Sequence, residues 1–96
     1  MSYVEEFPSF PEGAIPAIPE GFEDVSWHND VCPSFKNDAL SLTIYVDYPD
    51  PNMRELESAA HFMLVGEHDE GLTEILCETD HWHNILEAIE VWQKAA

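Results

Sequence analysis

Six of the chain's twenty acidic side chains fall within fourteen residues, Glu67 to Asp80 (EHDEGLTEILCETD), a stretch without Lys or Arg. Carboxylates at this density pair with guanidinium, ammonium and backbone N–H donors, the groups with which proteins hold phosphates. Alternate residues of a strand project from one face about 6.6–6.8 Å apart, close to the phosphate spacing of one nucleic-acid strand. Glu67, Asp69, Glu70, Glu74, Glu78 and Asp80 are therefore expected to present a row of negative charge, to which the fold can add Glu20, Glu23, Asp24, Asp47 and Asp50.

Two other residue sets bear on chemistry. His28-x3-Cys32 and Cys77-x3-His81-x-His83 hold zinc-type ligands, but they lack the paired tight Cys knuckles of a specific site, so no metal is expected. Asp69 to Asp80 offers many oxygens without the alternating Asp/Asn pattern and central Gly of a calcium loop. No nucleophile elbow, phosphate-binding Gly loop or HExxH motif is present, and 96 residues leave little room for a pocket. The expectation is a protein without catalysis or cofactor.

The charge balance limits the partners. Lys36, Arg54 and Lys94 stand against twenty acids, a formal net charge of −17. A small domain needs a charge of only about 2–8 for solubility. The excess repels nucleic acid and anionic membrane and favours a basic partner. A 45% hydrophobic share is that of a globular chain. Two cysteines make no disulfide framework, the N-terminus MSYVEEF lacks the pattern of a signal peptide, and no apolar run is long enough for a membrane span. A reduced, cytoplasmic protein is expected, more readily a monomer than an oligomer.

The elements that must position the acids read as one domain, 1–96. Residues 1–21 carry Pro8, Pro11, Pro16 and Pro19 among Phe7, Phe10, Ile15 and Ile18, an extended arm that is neither helix nor central strand. Residues 22–80 read as an antiparallel sheet of three to four strands. Asp24 to His28 is a short strand with Val25 and Trp27 on one face, and Asn29 to Asp38 a loop anchored by Phe35. Ala39 to Asp47 is the clearest strand, with Leu40, Leu42, Ile44 and Val46 on one side. Residues 51–65 also fit a helical stripe (Met53, Leu56, Ala60, Met63, Leu64). A loop followed by a strand from about Ala59 to Val65 is preferred, because HFMLV-GEHDEG-LTEILCE has the form of a hairpin. Thr79 or Asp80 caps a helix over 81–95 with the stripe Trp82, Ile85, Leu86, Ile89 and Trp92, leaving Asn84, Glu87, Glu90 and Lys94 to water.

This is an α+β meander with one helix on one face and the proline-rich arm across the other. On the last strand Thr73, Ile75 and Cys77 are expected to face the core. Leu72, Glu74, Leu76 and Glu78 are expected to share the outer face, with Leu72 and Leu76 as contact anchors wherever the arm does not reach.

In size, charge and lack of a catalytic motif, the chain resembles the small acidic phage-encoded inhibitors that mimic DNA, such as anti-CRISPR and anti-restriction proteins. The resemblance implies a non-enzymatic inhibitor that occludes a partner's basic nucleic-acid-binding surface through the carboxylates of 67–80, Asp47 and Asp50, and binds no nucleic acid itself. The alternative is a small interaction or assembly module whose charge is incidental.

Overall fold

A computed structural model describes residues 2–95. Five antiparallel strands run in sequence order, β1 Glu23–Asp24, β2 Ser34–Asn37, β3 Leu42–Val46, β4 Phe62–Glu67 and β5 Thr73–Thr79. The helix α2, Trp82–Ala95, closes the chain, and a single turn, α1 Tyr3–Glu6, opens it. The α+β meander with a C-terminal helix is as expected, with five strands instead of three or four. The additional strand is Ser34–Asn37, read from sequence as loop because Asn, Asp and Pro surround it. Phe35 is nonetheless the buried anchor, at 6% exposure. The strand predicted over Asp24 to His28 shrinks to Glu23–Asp24, and Val25 and Trp27 are exposed.

The inner face follows from β3. Leu42, Ile44 and Val46 alternate inward and pair with Gly66, Leu64 and Phe62, and Phe35 continues the Ile44 row. Leu42, Ile44, Val46, Leu64 and Ile85 are completely buried. Full burial of a side chain of this size stabilises by about 1.5–3 kcal/mol. Ile85 and Ile89 bring α2 onto this face, with Trp82 edge-on to Phe62 at 5.2 Å. Leu86 is exposed, because the helix meets the sheet along a stripe narrower than its apolar spacing suggests. Asn84 is half-buried: its side-chain amide donates to Thr79 Oγ1 at 2.9 Å, and the same oxygen accepts the His81 N–H at 3.0 Å.

The arm packs on the same face as the helix, not on the opposite one. Phe7 and Phe10 are buried in the core formed by Phe35, Ile44 and Tyr48, and Tyr3 meets Phe35 edge-on. The reason is dimensional. Five strands at about 4.8 Å spacing are roughly 19 Å across, twice the width of one helix at about 10 Å, so α2 over β4 and β5 leaves the β2–β3 half for the arm. The arm is a chain of turns, and α1 fits before the first proline. Two carboxylates hold it: Asp24 accepts the Tyr3 N–H at 2.7 Å, and Glu6 accepts both the backbone and ring nitrogens of His28.

A bulge divides the last strand. Leu64 pairs with Cys77 and Val65 with Ile75, so Leu76 is the extra residue and it packs inward with Cys77. The expected side assignment is thereby corrected. Leu76 and Cys77 face the core, and Ile75 lies outward, 56% exposed beside Val65. Glu74, opposite Gly66, and Glu78, opposite Met63, fall on different faces.

The bulge needs Gly66. A Cβ there would stand 2.8–2.9 Å from the Trp92 ring and the Leu76 side chain. Gly66→Ala is expected to cost about 1–3 kcal/mol by overpacking, and Leu64→Ala about 2–5 kcal/mol by leaving a cavity, both read from denaturant unfolding. An unchanged Gly66→Ala midpoint would show that α2 does not press on β4 as described.

Candidate functional site

Among the described residues, no helix or arm lies over the second sheet face. Two cross-strand rows define it: Glu23, Lys36, Thr43, Val65 and Ile75, then Ser34, Tyr45, Met63 and Glu78. Its middle is apolar (Tyr45, Met63, Val65, Ile75), and carboxylates stand at both ends.

At one end is the β4–β5 connection. Glu67, Asp69 and Glu70 are exposed, with Glu70 in the left-handed region (φ 68°), and Leu72 is 64% exposed. Glu74 turns to the helix side, where its carboxylate meets His68 Nε2 at 2.7 Å, and His68 rests edge-on against Trp92. At the other end, separated by the length of β4, about 20 Å for six residues, lie Asp47, Asp50, Glu78 and Asp80. Asp50 accepts the Asn52 N–H as cap of a 3₁₀ turn, Pro51–Met53, and Asp80 accepts the His61 N–H at 2.9 Å. The acids expected to form one row are thus two groups, and Leu76 is half-buried against the core, not an exposed anchor.

Each basic residue among the described ones is engaged. Lys36 approaches Asp38 at 3.7 Å and Lys94 pairs with Glu90 at 3.2 Å. Arg54 donates to the carbonyls of Tyr48, Ala59 and Pro49 at 2.7, 2.7 and 3.2 Å, tying the 48–59 loop closed. An ammonium cannot reproduce that planar fork. Arg54→Lys is expected to lower unfolding stability by about 1–2 kcal/mol; full retention in a denaturant melt would remove the clamp.

That closed loop and residues 31–32 wall a groove of about 400 Å³ at the Asp47 end, unforeseen from sequence. Apolar walls come from Val31, Leu56 and Met63, and polar groups from Asp47, His61 and Glu78. Its members are scattered from 31 to 78 and meet only through strand register. Cys32 also lines it; burial first, then Asp47 and Asp30, pushes its thiol up to about 12, so it stays protonated near neutral pH. Cys77 packs on the inner face, His28 is held by Glu6, and His81 and His83 are exposed. The described residues contain no group of three or more His, Cys, Asp or Glu able to hold a metal ion.

Asp47 is the most unusual residue of the groove. It is 8% exposed, its carboxylate accepts the Tyr48 N–H at 2.8 Å, and no cation of the described residues pairs with it. Burial pushes its pKa above the ordinary 3.8, against the lowering by the Tyr48 N–H, Arg54 and His61. His61 moves the opposite way: burial first, then Arg54, lower it from 6.5 although Asp80 and Asp47 raise it. Its Nε2 is buried without a hydrogen-bond partner.

The two shifts have opposite linkage signs. For Asp47, the native state holds the proton more tightly than the unfolded chain, so its contribution is lost as pH rises through the raised native value. For His61, stability is full above about 6.5 and lost as pH falls toward the lowered native value. Asp47→Asn keeps an oxygen for the Tyr48 N–H and removes the buried charge, so it is expected to raise the melting temperature at pH 7 and to flatten the slope just above pH 3.8. A lower melting temperature at pH 7 would mean that the carboxylate is stabilised in a way its surroundings do not show.

No protein-family model, curated protein or solved structure matches this chain. What fold and site define is a class: a small acidic α+β domain with one open sheet face bordered by carboxylates.

Proposed function

We propose that the chain is a non-enzymatic inhibitor that covers the basic, nucleic-acid-binding surface of a partner protein, in the manner of the DNA-mimic anti-CRISPR and anti-restriction proteins it resembles. The observation that carries this reading is the open sheet face, apolar in the middle and acidic at both ends, on a chain of net charge −17 whose three basic residues are all engaged. The mimicry does not come from a row along β5, since the bulge sends Glu74 and Glu78 to opposite faces. It comes from two acidic ends about 20 Å apart, a span of roughly six base pairs at 3.4 Å each.

Glu67, Asp69 and Glu70 steer the encounter, while Ile75, Val65 and Leu72 give up water on contact. The partner's Lys and Arg then meet carboxylates where phosphates would bind, and nucleic acid is excluded without turnover. The exposed Ile75 and Leu72 also favour a second reading, a general interaction module held by apolar contact with incidental charge.

Salt separates the two. A partner captured on the immobilised protein from the native host cell is expected to be displaced by added DNA and to lose affinity steeply with ionic strength, because exposed charges are screened within about 8 Å at physiological salt. The variant Glu67→Gln, Asp69→Asn, Glu70→Gln, shown folded by circular dichroism, is expected to bind at least about tenfold more weakly. A complex indifferent to both roughly molar salt and DNA would sink mimicry and leave the interaction module.

A further inference from the structure

Buried carboxylates in folded proteins are nearly always paired, because an isolated charge withdrawn from water costs several kcal/mol. Asp47 is more than nine-tenths buried and has no ion pair among the described residues. Arg54, the nearby cation, gives its recorded hydrogen bonds to three backbone carbonyls and none to a carboxylate. Asp47 lines the groove, and one of its oxygens takes no hydrogen bond from the protein. Glu78 lines the same groove and has no partner either among the described residues. The floor therefore offers acceptors that no cation of the described residues contacts, although the charge of Arg54 is felt at Asp47.

The walls restrict what can use those acceptors. Val31, Leu56 and Met63 present apolar surface to anything entering, and the volume of about 400 Å³ suits one long side chain or a small ligand. A phosphate or carboxylate is repelled by Asp47 and Glu78. A bare metal ion finds no third ligand among the described residues. A chain with an apolar stem and a cationic, donor-rich head meets both halves of the groove. Of the two natural choices, guanidinium is less strongly hydrated than ammonium and carries donors in a planar fork that two acceptors can share.

We propose that this groove receives an arginine side chain of the partner, its guanidinium at Asp47 and Glu78 and its stem along Val31, Leu56 and Met63. This rests on the reading of the partner as basic, but it assigns a distinct place, at the end of the open face away from the β4–β5 connection. The Asp47 and Glu78 oxygens that face the groove in the free protein then accept from the guanidinium. Burial lowers the His61 pKa, so at neutral pH the ring beside Asp47 adds little like charge to the incoming cation.

The test needs no partner. N-acetyl-arginine amide is titrated into the labelled full chain and followed by NMR at the Met63 methyl, the Leu56 methyls and the His61 ring. The expected result is saturable shifts at these positions, with the uncharged isostere N-acetyl-citrulline amide silent. Free arginine is expected to bind more weakly than the blocked residue, since its own carboxylate meets the negative field. Asp47→Asn, which retains an acceptor for the Tyr48 N–H, is expected to weaken the blocked probe at least about tenfold, and Glu78→Gln, on an exposed position that leaves the fold intact, to weaken it as well. Shifts confined to the exposed acids of 67–70, equal response to citrulline, or probe affinity unchanged in both variants would overturn the assignment. So would free arginine binding the tighter, which would make the groove a small-molecule site. Because the probe replaces the partner, these outcomes are independent of the DNA and salt tests on the whole surface.

Discussion

One helix is too narrow for this sheet. Five strands need roughly 19 Å of cover and α2 supplies about half, so the inner face closes only when Phe7, Phe10, Ile15 and Ile18 of the arm lie beside the helix on the β2–β3 half. The carboxylates of Asp24 and Glu6, which fix the arm, are thus part of the core's construction although they sit at its edge. Both the helix and the arm are then on one side, and the other is covered only at its Asp47 end, by residues 31–32 and the 48–59 loop. The open face follows from that allocation and is not a defect of an otherwise closed domain.

The same economy governs the cations. A chain of twenty acids and three bases has little with which to neutralise itself, yet Arg54 is turned to three backbone carbonyls and holds the 48–59 loop in shape. That loop walls the groove, so the residue best able to neutralise Asp47 instead builds the cavity in which Asp47 stays unpaired. The cost falls on native stability, as the opposed pKa shifts of Asp47 and His61 record. That local charge conflict is what the proposed binding of a cation would relieve.

What the sequence displayed was periodicity. Alternation over Leu40 to Val46, the i, i+3, i+4 spacing of the final helix and the Gly-containing break at 66–71 marked β3, α2 and the β4–β5 hairpin, and Phe35 was legible as an anchor even where its strand was not. What it concealed was anything set by one residue's offset. Three consecutive apolar residues, Ile75-Leu76-Cys77, break strict alternation, and that was the available sign of a bulge. Read as regular alternation, they put Ile75 in the core and Leu76 outside, the reverse of the structure. The groove left less trace, because Val31, Asp47, His61 and Glu78 come from four segments joined only by register. Its one local hint was a histidine between small and aromatic residues, Ala59-Ala60-His61-Phe62.

The two ends of the open face differ in physics as well as position. At about 20 Å they lie farther apart than the screening length of about 8 Å at physiological salt, so exposed charge at one end is scarcely felt at the other. Glu67, Asp69 and Glu70, fully in water, provide a field that acts at a distance and fades with salt. Asp47, withdrawn from water behind apolar walls, acts only on contact, where screening ions do not follow. An acidic surface made solely of the first kind would attract any basic protein and release it readily. In the proposed complex, one desolvated carboxylate beyond the reach of that field, with Met63, Val65 and Ile75 between, would make lasting contact depend on a partner whose cations match both ends at once, turning net charge into selectivity.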